Sequence, residues 1–271
     1  MFVLGCKLGL EIGELYVKET GYKGPLILTA REEMEARAIR VVVRMTPEGS
    51  SPDPNTGFYT GNAIYLTKGK ILTNHHICDG IQKEKLIPNV EYLVQDKYGD
   101  EYPIESYTAS PSKDLCILYV SKIHLKYLPA LKIMDPDANV TDILTGAAYS
   151  YANPINIVHG YPNRFFMFQE RRAEVLERAT MNHNSIDYPK LGPNDPAFAE
   201  QFSGPIYKLS SLINYGDSGG AVYFLVNGRA ELAGIIFAKE YAVPFPAQGY
   251  MVPASSIIQF LKKNSVNTEE N

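Results

Sequence analysis

Short runs of β-branched and aromatic residues, separated by turn signals, dominate this sequence from position 41 onward. Asn227-Gly228 and Lys68-Gly69 each separate two such runs, and glycine-containing pairs of this kind favour tight hairpins. Many short strands with frequent turns are typical of an antiparallel barrel or sandwich. The runs are Val41–Met45, Asn62–Leu66, Ile71–Asn74, Glu91–Gln95, Leu115–Val120 and Ala221–Leu225.

Two helices are predicted outside these runs. Residues 29–32, Thr-Ala-Arg-Glu, have the spacing of a capping box and predict a helix that ends near Arg37. Near the other end, Ser255 or Ser256 is a suitable N-cap for a helix with one apolar stripe. Residues 265–271 are polar and predict a flexible tail.

Charge and composition argue against several classes of protein. The net charge is −4 and the basic residues are scattered, whereas nucleic-acid binders carry a basic surplus, so we expect no nucleic-acid partner. The longest strongly apolar stretch, Leu232–Ala238, falls far short of the roughly 20 residues of a membrane span. The histidines and cysteines show no metal-ligand spacing. We therefore expect neither a metal site nor a cofactor.

The cysteines are Cys6, Cys78 and Cys116, an odd and small number for a disulfide scaffold. We expect Cys78 and Cys116 to be structural free thiols, which favours the cytoplasm or another reducing compartment. Residues 1–7 are faintly apolar but lack a charged leader, and Lys7 interrupts the apolar run. We predict no signal peptide here.

The segment with the clearest chemical meaning is residues 214–222, Asn-Tyr-Gly-Asp-Ser-Gly-Gly-Ala-Val. Glycines on both sides of Ser218 allow a tight turn and a close approach of substrate. In such a turn the N–H groups of Gly216 and Ser218 can converge beside the hydroxyl as an oxyanion hole. A simple turn is the alternative interpretation, but a nucleophile beside two convergent donors is what acyl transfer requires.

A serine nucleophile needs a base, and the apolar strand that ends in His75-His76 supplies one upstream. The third partner must be a buried carboxylate that orients the imidazole. Asp114 leads the apolar strand Leu115–Val120, where an unpaired carboxylate would be costly. These residues are the candidate catalytic group.

In these three segments the chain resembles the chymotrypsin-like (trypsin-fold) serine peptidases, in motif style closest to HtrA-type and bacterial or viral members. The resemblance implies that His76 is the base and His75 only its neighbour. It also implies that Asp114 orients His76 and that Ser218 is the nucleophile. The chain order His, Asp, Ser is that of this family and differs from the order in subtilisins and α/β-hydrolases.

The resemblance implies an all-β fold of two six-stranded antiparallel β-barrels, and the helices predicted above add an extra N-terminal helix and a C-terminal helix. Residues 1–40 are the N-terminal extension with its helix, and residues 41–135 are the first barrel, with the base and the carboxylate. Residues 136–264 are the second barrel, with the nucleophile and the C-terminal helix. The long loop at 181–205 is rich in Pro, Asn and Asp, and such loops are often functional.

The resemblance also implies a substrate pocket. Leu212 takes the floor position where trypsin carries an aspartate, and Phe237 replaces the serine that is usual on the pocket strand. An apolar pocket cannot compensate the desolvation of a P1 Lys or Arg, so we predict an apolar or aromatic P1 residue. The residues at the binding positions are Leu212, Ile213, Phe237, Ala238 and Gly249.

One departure from the family concerns activation. Cleaved members pair a new N-terminal amine with the aspartate before the nucleophile, here Asp217, but no Ile-Val-Gly-Gly start precedes the strand at Val41. We predict that no such cleavage is required and that Asp217 has another donor or a water. Residues 169–174, Gln-Glu-Arg-Arg-Ala-Glu, are expected to form an exposed strand face.

The predicted function is that of a serine endopeptidase that hydrolyses protein or peptide substrates through a Ser-His-Asp triad and an acyl-enzyme. Two alternatives use the same fold, because a fold does not determine a function. One is a catalytically inactive pseudoprotease that binds proteins, and the other is an esterase or related acyl hydrolase. All three triad positions are occupied by the required residue types, which favours the peptidase.

Overall fold

The computed structural model describes residues 28–45, 58–84, 90–125, 127–151, 166–181, 203–213, 216–239 and 247–268. Within these residues the chain consists mainly of β-strands, which form two antiparallel sheets, together with three α-helices. The all-β prediction is confirmed.

The first sheet has seven strands in the described residues, one more than predicted, and it begins at residue 38. Its strands are β1 (Ala38–Met45), β2 (Phe58–Thr67), β3 (Lys70–Thr73), β4 (Val90–Gln95), β5 (Glu101–Pro103), β6 (Ser106–Ser110) and β7 (Leu115–Tyr119). Neighbours are hydrogen-bonded in the order β5-β4-β1-β2-β3-β7-β6. The long strand β2 therefore lies at the middle of this sheet.

The second sheet closes into a six-stranded barrel, as predicted. Its strands are β8 (Ile143–Tyr151), β9 (Phe166–Met181), β10 (Gly204–Ile213), β11 (Ala221–Val226), β12 (Arg229–Lys239) and β13 (Ala247–Pro253). The order around the barrel is β10-β13-β12-β11-β8-β9. The turn that carries Ser218, residues 216–220 and called the serine turn below, lies directly before β11, at one end of this barrel.

Both predicted hairpins are confirmed. Lys68 and Gly69 form the turn between β2 and β3, which pair antiparallel. Asn227 and Gly228 form the turn between β11 and β12, and both have positive φ angles, of 49° and 77°. A two-residue turn with positive φ at both positions matches the twist of the strands it connects, which explains why Asn-Gly occurs here.

The helix α1 (Ala30–Arg37) has the predicted capping box, in which the Thr29 hydroxyl accepts from the Glu32 N–H and the Glu32 carboxylate accepts from the Thr29 N–H. The C-terminal helix α3 (Ala254–Lys263) is also present, but its N-cap is Pro253. The prediction of Ser255 or Ser256 as N-cap is wrong, because the helix begins directly after β13.

A third helix, α2 (His75–Glu84), follows β3 and was not predicted. It places the histidine pair in its first turn, only one residue beyond the end of β3. The second residue of the predicted flexible tail, Val266, is packed. Its side chain is buried in the core that includes α3, and its N–H donates to the Leu261 carbonyl at 3.0 Å.

The largest hydrophobic cluster spans both sheets and α3. Each sheet also has a cluster of its own, one under the first sheet and one inside the closed barrel. The shared cluster fixes the two sheets against each other, because separating them would expose its apolar surface to water. Members from both sheets and the helix include Leu72, Leu115, Ala221, Ile235, Phe237 and Phe260.

A disulfide joins Cys78 in α2 to Cys116 in β7. The prediction that these two residues are free thiols is wrong. The sequence pattern could not reveal the pair, because the two cysteines become neighbours only when α2 packs against β7. The preference for a reducing compartment loses the support of these thiols, since disulfides persist mainly in oxidising environments.

Among the described residues no helix has the length and apolarity needed to cross a membrane. The same part of the chain contains no group of three or more His, Cys, Asp and Glu side chains arranged to hold a metal ion. Several predictions lie outside the described residues: those on residues 1–7, on most of the loop 181–205, and on Asn214 and Tyr215.

Candidate active site

The imidazole of His76 lies against the carboxylate of Asp114. Nδ1 of His76 is 3.0 Å from Oδ2 and 3.2 Å from Oδ1, and the backbone N–H of His76 donates to Oδ1 at 3.0 Å. The Asp114 side chain is fully buried, whereas the His76 side chain is 30% exposed. The buried carboxylate therefore holds one side of the imidazole, and part of the His76 side chain is accessible to solvent.

Local structure explains how Asp114 reaches this position. A 3₁₀ turn at Pro111–Lys113 ends at Asp114, whose backbone is left-handed with φ 49°. The Asp114 carbonyl accepts from Nδ2 of Asn74, the residue directly before α2. This bond ties the carboxylate segment to the start of the helix, so the His76–Asp114 contact is fixed from both sides.

The serine turn is held by hydrogen bonds to its own backbone and to β12. The Gly220 N–H donates to the Asp217 carbonyl at 2.9 Å, and the Gly219 N–H donates to the Ile236 carbonyl at 2.9 Å. The Ile236 N–H donates in return to the Gly220 carbonyl at 2.8 Å. The carbonyl and the N–H of one peptide point in opposite directions. The Ser218 N–H therefore points away from Gly220.

The serine turn and the start of α2 meet at Gly61 in β2. A methyl group placed on Gly61 would lie 3.1 Å from the Ser218 carbonyl oxygen and 2.4 Å from Cδ1 of Ile77, the residue after His76. A larger residue at Gly61 would press on the Ser218 carbonyl and would require the Ile77 side chain to move. The fold thus brings the His76, Asp114 and Ser218 segments to one place, between the two sheets.

Asp217, directly before the candidate nucleophile, is fully buried and forms an ion pair with Arg171 in β9. Nη1 of Arg171 donates to Oδ2 of Asp217 at 2.5 Å, and Nη2 donates to Oε1 of Gln169 at 2.7 Å. We predicted another donor or a water as the partner of Asp217, and Arg171 is that donor. The expectation that residues 169–174 form an exposed strand face is wrong at Ala173, which is buried in the barrel, and at Arg171, which points to the serine turn.

Nothing in the sequence distinguished Arg171 from the other 25 lysines and arginines. The sequence indicated only that Asp217 needs a partner, because a buried aspartate requires a cation or several hydrogen bonds. The choice of Arg171 depends on β9 passing beside the turn, which is a property of the closed barrel.

The predicted substrate-binding residues lie on three adjacent strands of the barrel, β10, β13 and β12. Ile213 is buried against Gly249, where an added methyl group would lie 1.9 Å from Cγ1 of Ile213. Phe237 packs instead into the cluster between the sheets, near the ring of Tyr250. The structure describes only the backbone of Leu212 and Ala238.

Solved structures with a similar fold cover most of this chain. The Rv3671c protease from M. tuberculosis, in its active form, matches at 18% identity and a TM-score of 0.57, over 88% of this chain and 86% of that one. The HtrA-type protease AlgW with a decapeptide matches at 17% identity and a TM-score of 0.56, over 87% of this chain and 66% of that one.

The protease domain of MamO from Magnetospirillum magneticum matches at 15% identity and a TM-score of 0.51, over 85% of this chain and 98% of that one. This chain therefore has the fold of the trypsin-like serine proteases. No protein-family model and no curated protein sequence matches it. The identities are so low that the shared fold, and not the sequence, relates this chain to those proteases.

Proposed function

We propose that this protein is a serine endopeptidase of the trypsin-like fold, with Ser218 as nucleophile, His76 as base and Asp114 as the carboxylate that orients the base. The observation that carries the proposal is the contact of the buried Asp114 carboxylate with Nδ1 of His76. The contact fixes the tautomer in which Nδ1 carries the proton, so Nε2 is left as a proton acceptor.

The reaction begins when a peptide carbonyl enters the cleft and Ser218 attacks it. His76 takes the hydroxyl proton at Nε2, and Asp114 stabilises the imidazolium that forms. The N–H groups of Ser218 and Gly216 donate to the oxyanion of the tetrahedral intermediate. His76 then protonates the leaving amine, and in the second half of the cycle it activates water to hydrolyse the acyl-enzyme.

The preference for an apolar or aromatic P1 residue is part of the proposal. Its support is the apolar character of Ile213 and Leu212 at the predicted pocket positions, where a carboxylate would be needed to receive a P1 Lys or Arg. Cleavage of a peptide library mainly after Lys or Arg would contradict this preference without affecting the proposed mechanism.

A fluorophosphonate probe tests the enzymatic proposal directly, because it labels only an activated serine. We expect labelling of the wild type at Ser218, and loss of labelling in Ser218→Ala and in His76→Ala. An unlabelled, folded wild type would favour the pseudoprotease. Labelling together with hydrolysis of esters but not of peptides would favour the acyl hydrolase.

Asp114→Asn separates the orienting role from a packing role. The substitution keeps the size of the side chain but favours the wrong imidazole tautomer, and we expect kcat to fall about 10⁴-fold. The thermal midpoint of unfolding provides the control, because a loss of kcat that merely followed unfolding would contradict the orienting role.

A further inference from the structure

Asn62 is a polar residue buried in the middle of the first sheet, where only 1% of its surface is exposed. It lies in β2 opposite Arg40 of β1, between Gly61 and the apolar residues Ala63 and Ile64. Burying a carboxamide costs free energy unless its donors and acceptors are satisfied.

The carboxamide of Asn62 binds across to the second barrel and to the serine turn. Its Oδ1 accepts from the Tyr149 N–H at 2.7 Å, and its Nδ2 donates to the Tyr149 carbonyl at 3.2 Å. The same Nδ2 donates to the Gly216 carbonyl at 2.8 Å. One side chain of the first sheet thus contacts β8 and the segment before the nucleophile.

The backbone of Asn62 contacts the same turn. Its N–H donates to the Ser218 carbonyl at 2.7 Å, and its carbonyl accepts from the Thr73 hydroxyl at 2.6 Å. A methyl group on Gly219 would lie 1.8 Å from the Asn62 carbonyl oxygen, so the turn packs directly on this residue. Gly219 also has a φ of 81°, which favours glycine.

These bonds fix three successive peptides of the turn. Asn62 holds the carbonyls of Gly216 and Ser218, which lie on either side of the peptide between Asp217 and Ser218. That central peptide bonds through its own carbonyl to the Gly220 N–H. Because a peptide is planar, fixing the carbonyls also fixes the N–H directions, including that of the Ser218 N–H.

We propose that Asn62 is a positioning residue: its carboxamide holds the Gly216 carbonyl and its backbone N–H holds the Ser218 carbonyl, so that the backbone between them keeps the conformation that forms the oxyanion hole. The proposal rests on the proposed function, since it assigns Asn62 a role in the same reaction. Asn62 does not itself touch the reacting atoms. It acts by keeping the Gly216 carbonyl bonded to the Asn62 carboxamide.

The test uses two ligands that differ in whether they form an oxyanion. A peptide aldehyde forms a hemiacetal with the nucleophile and places an oxyanion in the hole, whereas the matching peptide amide binds the same subsites without one. Losing a residue that positions the oxyanion hole lowers the affinity for the aldehyde and lowers kcat. Losing a residue that only shapes the subsites lowers the affinity for both ligands and raises KM.

The variants are Asn62→Ala, which removes the carboxamide, and Asn62→Ser, which keeps a small polar group. Tyr207→Phe is the matched control. The Tyr207 hydroxyl donates to Oδ2 of Asp137 at 3.0 Å in another part of the second barrel, so its loss also removes one partly buried hydrogen bond. Folding of each variant is checked by its thermal unfolding midpoint.

In Asn62→Ala we expect kcat and aldehyde affinity to fall about 10- to 100-fold, somewhat less than the cost of deleting an oxyanion donor outright. Affinity for the peptide amide and KM should stay within about twofold of the wild-type values, because binding of the amide or of the substrate ground state places no oxyanion in the hole. Tyr207→Phe should leave all four quantities unchanged.

The inference is overturned if folded Asn62→Ala matches Tyr207→Phe in aldehyde affinity and kcat, or if KM alone rises. Failure of both Asn62 variants to fold would make Asn62 a structural residue and would also overturn it. A wild type that fluorophosphonate does not label would overturn the proposed function as well. A labelled wild type with unaffected Asn62 variants would overturn this inference alone.

Discussion

At the scale of single residues, the ion pair between Arg171 and Asp217 gives the buried carboxylate before Ser218 a partner from within the chain. The Asp217 side chain is fully buried, and Arg171 supplies the positive charge beside it. A buried carboxylate that loses its partner is strongly destabilising, because its desolvation is no longer compensated.

We therefore expect Arg171→Met to lower the free energy of unfolding by about 3–5 kcal/mol and to slow fluorophosphonate labelling of Ser218. The double variant Arg171→Met/Asp217→Asn should recover part of the stability, since it removes the unpaired charge. Urea unfolding measures the first effect. Arg172→Met, at the next and exposed position of β9, is the control and should change little.

At the scale of secondary-structure elements, the Cys78–Cys116 disulfide joins α2 to β7. Each cysteine lies two residues after a member of the candidate catalytic pair, His76 or Asp114. The crosslink therefore ties together the two elements that bring the imidazole to the carboxylate.

We expect Cys78→Ser/Cys116→Ser to lower the free energy of unfolding by about 4 kcal/mol, the chain-entropy value for a loop closed over a sequence separation of 38 residues. Labelling of Ser218 should slow as well, because α2 and β7 are less firmly joined. Unfolding by urea, with and without a reducing agent, measures the effect. Cys6→Ser is the control; a reductant that destabilised the wild type and the double variant equally would contradict the prediction.

At the scale of the whole molecule, the residues before β1 form part of the core. Met34 and Arg37 of α1 are buried, and the Arg37 guanidinium donates to the carbonyls of Tyr65 in β2 and of Pro129. Its Nε donates to Glu33. The helix therefore packs against strands of both sheets, and removing it would expose apolar surface and unpaired carbonyls.

We expect the uncleaved chain to be labelled by a fluorophosphonate. A chain that begins at Val41 should unfold at a temperature lower by about 10 °C or more, since losing a buried Met side chain alone costs about 2–5 kcal/mol. Thermal unfolding and labelling of the two chains check both statements. Activity confined to the chain that begins at Val41 would show that Arg171 does not replace the activation amine.

Features that depend on neighbouring residues were predictable from the sequence. The Asn227-Gly228 hairpin and the capping box of Thr29 and Glu32 arise from interactions within a few residues, so short patterns predict them correctly. The α2 helix was missed because its first residues, His75-His76-Ile77-Cys78, follow an apolar strand without a turn signal and so resemble its continuation, although Asn74 before them is a suitable N-cap residue. Asp114 was predictable as a buried carboxylate, because it leads an apolar strand.

By itself, the sequence determined the all-β fold and the three segments that meet at the candidate site, because turns and apolar patterns depend on residues that are adjacent in the chain. Only the tertiary structure decided which distant partners satisfy the buried groups: Arg171 for Asp217, Cys78 for Cys116, and Tyr149 and Gly216 for Asn62. These pairs depend on strand register, barrel closure and the packing of two sheets. The sequence can indicate that a buried polar group needs a partner, but which residue is that partner depends on the tertiary structure.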